Sequence, residues 1–255
     1  MTRVAIRSTA GAVVALLTAF AFAGCGEQET VCKGKPERLI LVPFATSSDH
    51  KTALELAPAV ADQMAARAAE SCGTVGGGVA NRLVESELAV ELKPLEPENP
   101  KAPNRTPHVR KMKKTADRFL QDKVLGPLEA TKPSGGSPFV RALTKIADEL
   151  RSRGHAGPSV IALVGDIIDI ERAPSGRIID FREREVDREA LEEFLPRLEP
   201  LAGSCVVAIG AGARSTRDPE ILRQSRTLLH DLLTKAKIRF VATRSSELPA
   251  TCRAR

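Results

Sequence analysis

The chain has 255 residues, 38 Lys and Arg against 32 Asp and Glu, a formal net charge of +6 and 42% hydrophobic residues. That is ample material for a buried core and excludes a disordered chain. Trp and Tyr are absent, which removes the platforms on which single-stranded bases stack, and the modest, dispersed positive charge does not describe a nucleic-acid binder.

The first segment reads as an export signal. Arg3 and Arg7 precede an uncharged run from Ser8 to Ala23, too short for a stable membrane span and ending in small residues. A retained N-terminal anchor helix is the alternative. Phe22-Ala23-Gly24-Cys25 resembles the lipobox of bacterial lipoproteins, with Phe22 where Leu is usual. The resemblance implies diacylglycerol on the Cys25 thiol, cleavage before Cys25 and a stable anchor of palmitate-type acyl chains. The expected organisation is a signal peptide over 1–24, a polar tether over 25–36 and one domain over 37–255. The expected location is extracytoplasmic, lipid-anchored to the cell membrane or the outer membrane.

Export changes the reading of the cysteines. With Cys25 acylated, Cys32, Cys72, Cys205 and Cys252 remain, an even set in an oxidising compartment, and two structural disulfides are expected. Three pairings are open, and no Cys/His cluster has zinc spacing.

Further along, four short apolar runs stand out: Leu39–Val42, Val160–Val164, Val206–Ile209 and Ile238–Ala242. Each is continuous rather than alternating, the signature of strands buried on both faces of a parallel sheet. Between the first two, Val75–Ala80 and Leu88–Leu92 suggest two further strands in a hairpin. Gly76, Gly77 and Gly78 lack the Lys-Ser/Thr of a phosphate loop and read as a strand with close backbone approach.

Helical stripes alternate with these runs. Leu56, Ala57, Val60, Ala61, Met64, Ala65 and Ala68 form the first, with Pro58 near its start or kinking it. Ser137 is expected to cap a second, with Pro138 at its first position, ahead of Val140, Leu143, Ile146, Ala147 and Leu150. Leu191, Phe194, Leu195 and Leu198 form a third, ended or bent by Pro196. Asp218-Pro219 caps a fourth that carries Ile221, Leu222, Leu228, Leu229, Leu232 and Leu233. This alternation predicts a doubly wound, mostly parallel α/β sheet with helices on both faces. Residues 93–110, rich in Pro, Asn and Lys, should form an irregular surface excursion leading into a basic helix with Lys111, Lys113, Lys114 and Arg118. That basic face suits acidic lipid head groups or wall polymers; a solvated helix face is the plainer reading.

In open α/β sheets, ligands bind beyond the carboxyl ends of the strands. The loops there are PFATSSDH after the first strand, GDIID after Val164 and GAGARSTRD after Ile209, rich in the hard oxygen donors that suit magnesium or calcium. From the order of elements, the turn-helix GSPFVRAL, the strand VIALVGDIID and the strand PLAGSCVVAIGAGA, the chain resembles the divergent von Willebrand factor A domains of bacterial lipoproteins over about residues 37 to 245. The resemblance implies a domain that binds a protein or envelope partner rather than an enzyme. It also places a metal-ion-dependent adhesion site on Ser47, Ser137 and Asp166. Ser47 fits if Pro43 stands at the first position of the motif; a one-residue shift would use Thr46 and Ser48. Either way the family's first Asp is missing, and Asp49 does not match its position. Losing one of two carboxylates predicts weak magnesium binding or none, at a degenerate site. The plainer role for Asp166 is capping a backbone turn.

A hydrolase is the rival class, using Asp166 and Asp169 with a metal. Asp49-His50 and the GDIID loop share residue types with calcineurin-like metallophosphoesterases. Here, however, Asp49 and His50 are adjacent rather than separated by one residue, and no Gly-Asn-His-Asp or Gly-Asn-His-Glu follows. Gly210 and Gly212 are only two glycines of a dinucleotide fingerprint, placed after a late strand, and read as a tight turn.

Overall fold

The computed structural model describes residues 31–253, apart from 47–48, 82, 84–86, 103, 134, 136–137, 156, 168–169 and 213–217. In chain order the elements are β1 (Arg38–Pro43), α1 (His50–Ser71), β2 (Thr74–Gly77), β3 (Glu91–Pro94), α2 (Arg105–Leu120), a π-helical turn (Gln121–Leu125), α3 (Gly126–Ala130), α4 (Phe139–Ser152), β4 (Val160–Val164), β5 (Ile170–Arg172), β6 (Ile178–Asp180), α5 (Arg188–Glu192), α6 (Leu195–Leu198), a 3-10 turn (Glu199–Leu201), β7 (Cys205–Ile209), α7 (Pro219–Lys235) and β8 (Arg239–Thr243).

Six strands form one sheet in the order β3-β2-β1-β4-β7-β8. All pairings are parallel except β2 with β3, a hairpin as expected, but its second strand runs Glu91–Pro94 rather than Leu88–Leu92. Successive strand residues point to opposite faces. Leu39, Leu41, Val160, Ala162, Val164, Val207 and Ile209 join the core under α1, α2 and α3. Ile40, Val42, Ile161, Leu163, Val206 and Ala208 join the core under α4, α5, α6 and α7. Helices therefore cover both faces, and β1, β4 and β7 are buried almost throughout.

The fourth apolar run departs from that pattern. Every residue of β8 is only half-buried, because the strand is the sheet edge and has one neighbour, β7. In β2, a Cβ on Gly76 would stand 2.8 Å from the Glu91 carbonyl oxygen, and one on Gly77 would run into that of Leu41. The glycines let three backbones pass at close quarters, as their clustering suggested.

The helix boundaries follow local chemistry, with corrections. Pro58 lies within α1, whose first residue is His50. Asp218 caps α7, accepting from the Glu220 N–H at 2.9 Å, with Pro219 in the first turn. The second stripe begins one residue later than expected: Pro138 stands at the cap and Phe139 opens α4. A proline cap offers no side-chain acceptor, and Glu171 of β5 takes that role, accepting from the Val140 N–H at 2.5 Å. The third stripe breaks before Pro196, which lies in the first turn of α6. The irregular excursion expected over 93–110 is shorter than that, because β3 runs through Pro94 and Arg105 already opens the basic helix, capped by Asn104. The β5–β6 hairpin, absent from the sequence reading, follows the carboxyl end of β4.

Two disulfides close, Cys32–Cys72 and Cys205–Cys252. Cys72 ends α1 in the left-handed conformation, φ 49°, and Cys205 opens β7, so both bridges lie at the amino ends of the strands. Arg67 adds a third tie there, with two bonds to Glu37 (2.6 and 2.8 Å) and one to the Cys252 carbonyl (2.7 Å). Among the described residues, no helix is long and apolar enough to cross a membrane.

Candidate functional site

At the carboxyl ends of the strands, β1, β4, β7 and β8 hand over to their loops through a chain of backbone bonds. Phe44 N–H donates to Val164 (2.9 Å), Gly165 N–H to Ile209 (2.8 Å) and Gly210 N–H to Thr243 (2.9 Å). Gly165 has φ +154°, and a Cβ there would meet Phe44 at 2.9 Å and Asp49 at 3.3 Å. The first and second loops are thus in direct contact, as the topology requires.

Asp166 follows Gly165 immediately. Its Oδ1 accepts from the N–H of Ile167 at 2.8 Å and of Gly212 at 3.3 Å. The carboxylate therefore closes the turn after β4 and ties it to the turn after β7. Asp49, 3% exposed, lies beside it on the first loop, and its Oδ2 accepts from the Thr46 hydroxyl at 2.9 Å. His50 does not face that cluster as a ligand would: its Nε2 pairs with the Leu128 carbonyl at 2.8 Å, holding α3 against the start of α1.

Arginines complete the crest, and the sequence reading passed over them. Arg226 of α7 donates from Nη2 to the Ala211 carbonyl at 2.9 Å, while its buried Nε has no hydrogen-bond partner among the described residues. The Ala211 N–H in turn donates to Thr243, the residue before Arg244. Burial, and then the like charge of Arg244, hold the Arg226 guanidinium below its usual range, while the charge of Asp166 acts in the opposite direction. Arg226 thus already supplies positive charge beside Asp166. In the sequence it is an arginine on the polar flank of an amphipathic helix, indistinguishable from a solvated charge.

Glu171 is the other residue that the sequence did not reveal. It is 1% exposed, accepts from Val140 and lies 3.4 Å from Arg141 Nε. Burial dominates the bond from Val140 and the charge of Arg141, and lifts its carboxyl to about 8. Its only sequence signal was the alternation in IERAP, which does not say which face is buried.

Of the expected site residues, Asp166 is where the topology should place it. Ser47, Ser137, Asp169 and the lipidation candidate Cys25 lie outside the described residues. Among the described residues, no three His, Cys, Asp or Glu gather as metal ligands would. Asp166 and Asp49 both take bonds from within the crest, and the charge of Arg226 acts on Asp166.

The fold and this crest define the chain as an α/β protein with a six-stranded, mostly parallel sheet between two helical layers, bridged by two disulfides. No family profile matches the sequence, and no curated protein does. Among solved structures, the pilus adhesin SpaC from Lactobacillus rhamnosus GG, in its open conformation, is similar over 85% of this chain, at 12% identity and a TM-score of 0.45. A second form of the same adhesin gives 12% identity and 0.43 over the same share. This chain spans about 29% of the adhesin's length.

Proposed function

We propose that the chain is a lipid-anchored extracytoplasmic protein whose divergent von Willebrand A-like domain binds a protein or envelope partner at the carboxyl ends of the strands, without turnover. One observation carries the reading. The first described residues, Val31 and Cys32, and both disulfides lie at the amino ends of the strands, while Asp166, Arg226 and Arg244 lie at the opposite ends. An anchor at Cys25 would leave that crest clear of the membrane. Disulfides belong to an oxidising compartment, in keeping with export. The sheet order, with an antiparallel edge strand and an Asp after a central strand, supports the von Willebrand A-like assignment.

Binding at this crest would not run through a metal ion. The metal-ion-dependent adhesion site is degenerate, with Arg226 supplying beside Asp166 the charge that a cation would bring. Magnesium binding is accordingly weak or absent.

A photo-crosslinking residue at exposed Arg244 should capture a partner with or without magnesium, and one at exposed Lys35, at the amino ends of the strands, should not. Equal capture from both positions would overturn the reading. So would phosphatase activity that is lost on Asp166→Ala, which would assign hydrolysis through Asp166 and Asp169. Labelled palmitate should enter the wild-type chain and be absent from Cys25→Ser; label that persists in the variant removes the anchor.

A further inference from the structure

The outward face of α2 carries Arg110, Lys114 and Arg118, all exposed and four residues apart, so that they lie one above the other along the helix. Like charges at this spacing destabilise a helix. Other basic groups nearby are answered: Lys111 pairs with Glu98, Lys113 with Asp62 and Asp117, and Lys123 with Glu91. Arg110, Lys114 and Arg118 have no counter-ion among the described residues, and neither does Lys93 on β3. Lys93 lines two adjoining open grooves beside α2, of about 430 and 530 Å³. Glu96 and Asp122 are the acidic groups there without an ion pair among the described residues, so the face keeps a positive balance.

The first described residue, Val31, lies at one end of this face. The Val31 N–H donates to the Pro100 carbonyl at 3.1 Å, and Arg105, the first residue of α2, donates from Nε to the Val31 carbonyl at 2.6 Å. Between Cys25 and Val31 the chain can reach at most about 20 Å, and α2 is about 24 Å long.

We propose that this face, the outer side of α2 with Lys93 at the sheet edge, rests on an anionic phospholipid surface and holds the anchored domain on its side. The proposal rests on the lipid-anchor reading. A short tether that starts beside the first turn of α2 keeps the whole stripe within reach of the head groups. Basic side chains then add an electrostatic contact to the acyl anchor. In this posture the strand axes run along the membrane, and the crest around Asp166 faces sideways into solvent.

Lysine acetylation, read by mass spectrometry, tests this on the full-length chain after processing and purification from membranes. The chain is reconstituted into vesicles of neutral phosphatidylcholine, or of phosphatidylcholine with phosphatidylglycerol. On the anionic vesicles, Lys93 and Lys114 should be protected about fivefold, the factor that one basic side chain near an anionic surface is worth. Lys235 and Lys237, at the far edge beside β8, should react unchanged. The protection should vanish in high salt, and at Lys93 in the Lys114→Glu, Arg118→Glu double variant, whose changes are at exposed positions. Equal protection on neutral vesicles, or protection that includes Lys235 and Lys237, overturns the proposal. Protection by soluble polyphosphate with none by anionic vesicles does so in favour of a polymer. Failure to float with neutral vesicles would overturn the anchor alone, because the footprint on anionic vesicles is read with or without an acyl chain.

Discussion

At the scale of single residues, two carboxylates define opposite uses of the same chemistry. Asp166 is partly exposed and accepts two backbone N–H groups, so it joins the turns after β4 and β7. Asp166→Ala would leave both donors to water or unpaired and should cost about 1–2 kcal/mol in chemical denaturation. Asp166→Asn keeps an acceptor and should recover most of that. If the variants lost equal stability, the hydrogen bonds would not be what Asp166 contributes. Glu171 is buried, and its carboxyl is lifted from 4.5 to about 8. The folded chain therefore keeps a proton that the unfolded chain releases. The stability tied to that proton is complete below pH about 4.5 and is lost as pH rises toward about 8. Glu171→Gln, neutral throughout, should flatten this decline in melting temperature over that range. An unchanged pH profile would show that Glu171 is ionised in the fold.

Elements bring a different set of causes into play. Helix α7 has every local signal in agreement: Asp218 at the cap, Pro219 in the first turn, and Leu222, Leu228, Leu229, Leu232 and Leu233 on the buried side. Removing the cap in Asp218→Ala should cost about 1 kcal/mol, while Asp218→Ser should cost little, as measured by urea unfolding. Helix α4 is the contrasting case. Its local cap is a proline with no acceptor, and a strand residue distant in sequence provides the bond instead. The β5–β6 hairpin is thereby fastened to the start of α4. For the same reason the sequence alone places the start of α7 well and that of α4 one residue early.

For the whole molecule, the two bridges act on the same end of the sheet. Cys32–Cys72 closes over 40 residues and Cys205–Cys252 over 47, fixing the first and last described segments to α1 and β7. Loops of this length restrict the unfolded chain substantially, so losing either bridge should cost about 2–5 kcal/mol. A Cys205→Ala, Cys252→Ala pair measured by thermal unfolding against the wild type checks this; an unchanged midpoint would mean that the bridge does not form in solution. Cutting either bridge frees the amino ends of the strands, while the bonds around Asp166 lie at the other end. Partner capture at Arg244 should therefore survive at temperatures where the variant remains folded.

The sequence by itself determined the alternation of strands and helices, the sheet's parallel character, the existence of the β2–β3 hairpin, the helix stripes and the four cysteines, Cys32, Cys72, Cys205 and Cys252, that could form bridges. These follow from periodicity, capping and composition, which act between residues a few positions apart. It also placed Asp166 at the end of a central strand, because an apolar run that stops at Gly-Asp marks that end. Only the tertiary structure decided which cysteines pair, that β8 is a half-exposed edge, that Glu171 is buried under α4, and that Arg226 and Arg244 gather about Ala211. Each of these depends on neighbours brought together by strand order and helix packing. The free energy that fixes them comes from burial and from bonds between residues far apart in the chain, which no local pattern records.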